Sequence, residues 1–135
     1  MAKAYLGVDY GERRIGLARA LDGESAAAWQ TLVLTDPKDA VKRVIEVATT
    51  IPDLAVMVVG LPRNLEGVDT PQTAKARAFA AELASVGIAL VSLQDEAATS
   101  DVAKQRLEAC GKPYDRGDID AESAAIILQD YLDNL

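Results

Sequence analysis

The stretch "AYLGVDYGERRIGLARAL", Ala4 to Leu21, reads as two apolar strands joined by the short charged turn "GERR". Asp9 stands at the inner end of the first strand, where an aliphatic residue is the routine choice, with Gly7 and Gly11 on either side of it. After the turn-like "LDGES" comes "AWQTLVL", Ala28 to Leu34. The opening of the chain therefore predicts an antiparallel meander of three strands.

From Asp36 the period changes. Val41, Val44, Ile45 and Ala48 fall at i, i+3, i+4 and i+7, the stripe of a helix that Asp36 can cap, with Pro37 suited to its first position. "LAVMVVGLP", Leu54 to Pro62, is a nearly continuous apolar run, the pattern of a strand buried on both faces. A second helix starts at Thr70 and Pro71, carries Ala76, Phe79, Ala80 and Leu83 as its stripe, and stops at Gly87. "IALVSLQDE" predicts a fifth strand, "TSDVAKQRLEAC" a short helix, and "GKPYDRGD" a polar loop. The last helix places Ala121, Ala124, Ala125, Leu128 and Leu132 on one face. Three strands followed by alternating helix and strand imply an α/β sheet of mixed direction with helices on both faces, in a single domain spanning 1–135.

Composition removes several classes of chemistry. Cys110 is the single cysteine and there is no histidine, so thiol–imidazole and serine–histidine mechanisms and a zinc cluster are all out of reach. No apolar run approaches the length of a membrane span and no basic leader precedes one, so the expectation is a cytoplasmic protein without membrane contact. A net charge of −7 argues against polyanion binding by bulk electrostatics. A nucleic-acid partner requires a local basic patch and bound cations.

Asp9, Glu96 and Asp120 end apolar segments rather than decorating solvated faces. If the first and fifth strands are neighbours and the last helix packs over their ends, the three carboxylates converge. Such a cluster raises its own pKa values unless a cation compensates it, and without His or Cys the matching cation is hard, Mg²⁺ or Mn²⁺. Each acid has a plainer reading: Asp9 as a turn residue, Glu96 as an acid before a helix start, Asp120 as the N-cap of the last helix. Gly7, Gly11 and Gly16 either permit close packing or open the main chain beside Asp9 to a phosphate.

Arg63 and Asn64 follow the central strand, at the sheet end where ligands bind in open α/β folds. Lys75 and Arg77 on the next helix are further candidates for phosphate contact, or else a solvated helix face. Arg13, Arg14, Lys112 and Arg116 lie in loops that can add to the same patch.

Together "GVDYGERRIGLA", "VVGLPRNLEG", "TAKARAFAAEL", "QDEAATS" and "DIDAESAAIIL" resemble the YqgF/RuvX family, in the family's order and over nearly the whole chain. The resemblance implies an RNase H-like fold related to the RuvC-type Holliday junction resolvases: five strands, the second antiparallel to the rest. It implies Asp9, Glu96 and Asp120 as the acidic catalytic and metal-binding set. Two departures stand out: Ala97 replaces the usual Arg after Asp95 and Glu96, and Asp118 adds a negative charge where members tend to be basic, or offers a substitute ligand.

The expected activity is that of a Mg²⁺- or Mn²⁺-dependent nuclease, with Arg13, Arg63, Asn64, Lys75 and Arg77 contacting nucleic acid. What the resemblance implies for substrate is the 5′ end of the 16S ribosomal RNA precursor first and a four-way DNA junction second, the latter requiring a homodimer rather than a monomer. A non-catalytic module that binds ribosomal RNA or a protein is the alternative of another class. Sugar-kinase and actin-like ATPases share the fold but enclose nucleotide between two such domains.

Overall fold

The computed structural model describes residues 3–96 and 99–135; Ala97 lies outside the described residues. Its strands are β1 (Ala4–Asp9), β2 (Arg14–Leu21), β3 (Ala27–Val33), β4 (Leu54–Pro62) and β5 (Leu90–Glu96), in the sheet order β3-β2-β1-β4-β5. β2 is antiparallel to β1 and β3, whereas β1, β4 and β5 run parallel. The expected meander is present. The supposed adjacency of the first and fifth strands is not, because β4 lies between them.

The helices are α1 (Ala40–Ala48), α2 (Pro71–Val86), α3 (Thr99–Cys110) and α4 (Arg116–Asp133). Asp36 caps a short 3-10 turn, accepting from the Lys38 N–H at 3.0 Å, and α1 follows that turn. Thr70 and Thr73 cap each other at the start of α2, Pro71 takes its first position, and Gly87 ends it at φ 80°. The start of α4 differs from expectation. Asp115 and Asp118 form a reciprocal capping box there, so the helix begins inside the segment expected as loop, and Asp120 lies in its second turn rather than at the cap.

The two faces of the sheet are packed differently. Leu6, Val8, Leu17, Met57 and Val59 meet Val44, Phe79 and Leu83 of α1 and α2, an interface of large side chains. Each one fully buried contributes about 1.5–3 kcal/mol. The opposite face is built from small residues, Ala18 and Ala20 against Ala124 and Ala125, together with Val58, Ile127 and Leu128. Small residues bring α4 close to the sheet: a Cβ on Gly7 would sit 2.7 Å from the Ala124 carbonyl oxygen. That close approach carries Asp120 to the ends of the strands.

Candidate active site

Because β1, β4 and β5 are parallel, their last residues, Asp9, Pro62 and Glu96, share one sheet edge. β2 enters the sheet at that edge with Arg14. Tyr5 and Gly7 face α4, and the period of two puts Asp9 on the same face.

Both lateral neighbours of Asp9 are glycines. Gly16 pairs with it on β2, and Gly60 on β4 is one residue beyond the Val8–Val59 pair. A Cβ on Gly16 would lie 1.9 Å from the Asp120 carbonyl oxygen, and one on Gly60 would lie 2.6 Å from Glu96 Oε1. One glycine admits the backbone of α4. The other lets the Glu96 carboxylate cross β4 toward Asp9. The room expected at Gly7 and Gly16 for a phosphate is thus taken by the chain's own helix, and Gly11 closes on the Arg14 carbonyl of the β1–β2 turn.

Asp9 lies where two lobes of a cleft meet. The first, of about 280 Å³, is lined by Tyr10, Pro62, Arg63, Gln72, Glu96, Thr99, Ser100 and Asp101; the second, of about 360 Å³, by Gly11, Glu12, Arg13, Arg14, Arg116 and Asp120. Asp9, Tyr10 and Gln72 border both. Surrounding protein, then the charge of Glu96, then that of Asp120, push the Asp9 carboxyl well above the usual carboxylate range. Burial also raises Glu96, opposed by the Thr99 hydroxyl, which donates to its Oε2 at 2.6 Å. Arg14 Nε donates to Asp120 Oδ2 at 2.6 Å.

The three expected acids therefore surround one cleft, close enough for both neighbours to act on Asp9. Among the described residues no three His, Cys, Asp or Glu side chains group tightly enough to cage an ion. A cation that takes one or two carboxylates and keeps its waters fits this all-oxygen set; an ion needing a closed shell of protein ligands does not.

The basic candidates divide. Arg63 and Arg13 line the cleft, the former tied to Asp69 at 3.0 Å and Asp95 at 3.1 Å. Asn64 does not line it. Its side-chain oxygen accepts from the Glu66 and Val68 N–H groups and shapes the β4–α2 loop. Lys75 pairs with Glu12 and Arg77 with Asp69, both on the exposed face of α2. Asp118 is spent on the capping box. The reading from sequence missed Gly60, Thr99 and Gln72 as parts of the site. A glycine interrupting the buried run "VMVVGLP" was the available signal, since glycine inside a strand marks close approach.

A sheet with one antiparallel strand among parallel ones and acids at their ends is RNase H-like. "T. thermophilus RuvC in complex with Holliday junction substrate" matches with a TM-score of 0.53 at 21% identity, over 93% of this chain and 91% of that one. The family model described as "RuvX: Holliday junction resolvase" matches residues 3–134, and the chain belongs to that family. A relative from Anaeromyxobacter sp. (strain K), named "Putative pre-16S rRNA nuclease", is 42% identical over 132 residues, covering 95% of each chain. Relatives of the same name from Shewanella oneidensis and Chloroflexus aggregans are 36% and 39% identical, over 98% and 95% of this chain and 96% and 92% of theirs. Among the described residues no helix is long and apolar enough to cross a membrane.

Proposed function

We propose that this chain is a divalent-metal-dependent nuclease that hydrolyses phosphodiester bonds in the 5′-end processing of precursor 16S ribosomal RNA. The observation that carries the reading is a crowded carboxylate, Asp9, raised by burial and then by the charges of Glu96 and Asp120, where two lobes of a cleft lined by arginines meet. Asp9 and Glu96 are the residues that would hold Mg²⁺ or Mn²⁺, with Asp120 joining once released from Arg14. A bound ion of this kind supplies an activated water and stabilises the departing oxygen. The chain's own work is to orient: Thr99 fixes the Glu96 carboxylate, Arg13 and Arg63 receive phosphate oxygens, and Gln72 borders both lobes. Arginines at the cleft provide the local basic patch that the net charge of −7 requires of a nucleic-acid enzyme.

The relatives' names favour the RNA substrate; the family's description and the RuvC likeness keep a four-way DNA junction as the second reading. The test incubates pure protein with precursor 16S RNA and with a four-way junction, each with Mg²⁺, Mn²⁺ or EDTA. Cleavage of the RNA that EDTA stops is the expected result. Preferred cutting of the junction favours the second reading, and no cutting of either favours a non-catalytic binding module.

Gly60→Ala separates site from fold. The new methyl meets only flexible ends, Glu96 Oε1 at 2.6 Å and Ile127 Cδ1 at 2.5 Å, so the sheet survives with a loss of about 1 kcal/mol. The Glu96 carboxylate is pushed aside, and a displacement near 1 Å in a positioned group lowers the cleavage rate on the order of a hundredfold. Wild-type turnover in a folded Gly60→Ala protein removes Glu96 from the site.

A further inference from the structure

Arg14 makes an ion pair that the nuclease chemistry does not call for. Ile15 and Leu17 point into the α1–α2 side of the sheet, so Arg14 lies on the α4 face with Gly16, and its Nε reaches the Asp120 carboxylate at 2.6 Å. Among the described residues it is the only cation paired with any of the three acids: Asp9 has none, and Glu96 is held by a hydroxyl. The pair is partly shielded, with side-chain exposures of 34% for Arg14 and 20% for Asp120. Only Nε is engaged, which leaves the guanidinium's other N–H groups directed at no acceptor among the described residues, in a lobe shared with Arg13 and Arg116. As arranged, Glu96 and Asp120 crowd Asp9, yet among the described residues the three acids do not enclose an ion.

We propose that Arg14 is a positioning residue that competes with the divalent ion for Asp120 and passes to a substrate phosphate when the ion takes its place. In the substrate-free protein Arg14 neutralises Asp120 and keeps the metal site open. When a phosphate enters the cleft, its charge offers the guanidinium a second partner matched to its planar fork. Asp120 is then free to turn to the ion, so metal and nucleic acid favour each other's binding through the exchange of one ion pair. This inference rests on the metal-dependent reading of the site.

The experiment titrates Mn²⁺ into substrate-free protein by calorimetry. Arg14→Gln is expected to bind Mn²⁺ about fivefold more tightly than wild type, the size of one partly exposed ion pair removed from the competition. In an Asp120→Asn background the same substitution is expected to change nothing. Arg14→Lys falls between, and Lys104→Gln, which removes an exposed positive charge elsewhere, leaves Mn²⁺ affinity at the wild-type value. On nucleic acid, Arg14→Gln raises KM and lowers the salt dependence of binding by about one phosphate contact.

Thermal melts establish that each variant is folded. Unchanged or weaker Mn²⁺ binding in folded Arg14→Gln overturns the proposal, as does a gain that survives Asp120→Asn or the absence of Mn²⁺ binding from both forms. The nuclease reading fails separately, on the absence of metal-dependent cleavage by wild type. A flat Mn²⁺ comparison beside active wild type therefore removes Arg14's role and leaves the activity standing.

Discussion

Asp9→Asn is expected to lower metal-dependent cleavage by at least about a thousandfold and, at neutral pH, to melt later than wild type. The loss follows from removing the carboxylate that lies between the other two and at the junction of both lobes; a metal site supplies several kcal/mol of transition-state stabilisation, each 1.36 of which is tenfold in rate. The gain in stability follows from the same crowding. Burial and two neighbouring acids raise the folded-state pKa of Asp9 above its unfolded value, so the folded protein binds this proton more tightly than the unfolded chain. The charge therefore costs nothing below the ordinary carboxylate value of about 4, and its cost grows until the pH passes the raised pKa. Asn removes that cost, and about 1–3 kcal/mol is the ordinary scale for relieving an ill-matched buried polar group. The stability gap should be widest at neutral pH and close as the pH falls toward 4. Undiminished cleavage by Asp9→Asn removes it from the metal site, and a lower melting temperature at neutral pH refutes the crowding.

That signature, an active-site residue that weakens the fold, distinguishes a functional carboxylate from a turn residue. In "LGVDYG" alone the apolar flanks favour the functional reading but leave the turn residue open, because the sequence shows the flanking residues and not the charges that approach from elsewhere. What was legible was local. The period-two and period-3.6 runs located nearly every element, and Thr70–Pro71 with Gly87 bounded α2 because capping is written within a few residues. The first turn of α4 was misplaced because its box is Asp115 with Asp118, a pair easily taken for loop acids, and the error put Asp120 at a cap it does not form.

Strand order was the larger gap. Asp9 and Glu96 were expected to meet by adjacency, but β4 separates their strands, and they approach only because residue 60 has no side chain. No spacing along the chain reveals that, since it depends on which residue of β4 stands in register with Asp9. The exposed lysine and arginine of α2 show the opposite failure: positive charge near a predicted cleft is visible in sequence, whereas the Glu12 and Asp69 that neutralise it are not recognisable as partners until the fold is known.

Gly16→Ala is the substitution expected to damage the fold most for a single added methyl. Its Cβ would lie 1.9 Å from the Asp120 carbonyl oxygen, 2.3 Å from its carbon and 2.9 Å from the Ala121 nitrogen. All three atoms are backbone. At Gly60 a rotamer change relieves the contact, but here relief requires α4 to lift from β2 as a rigid body, and with it the packing of Ala124, Ile127 and Leu128 on the sheet. Overpacking of a core ordinarily costs about 1–3 kcal/mol, and a contact with no rotamer to yield belongs at or beyond the upper end. About 3 kcal/mol corresponds to a fall of roughly 10 °C in melting temperature for a domain of this size. The displacement also moves Asp120 away from Arg14 and from Asp9, so cleavage should fall well below the temperature at which the protein unfolds. Heat and activity are thus expected to fail together in Gly16→Ala, activity alone in Gly60→Ala. A Gly16→Ala protein that melts within about 2 °C of wild type would mean that α4 does not rest on β2 at this position, and the path by which the helix delivers Asp120 to the cleft would have to be redrawn.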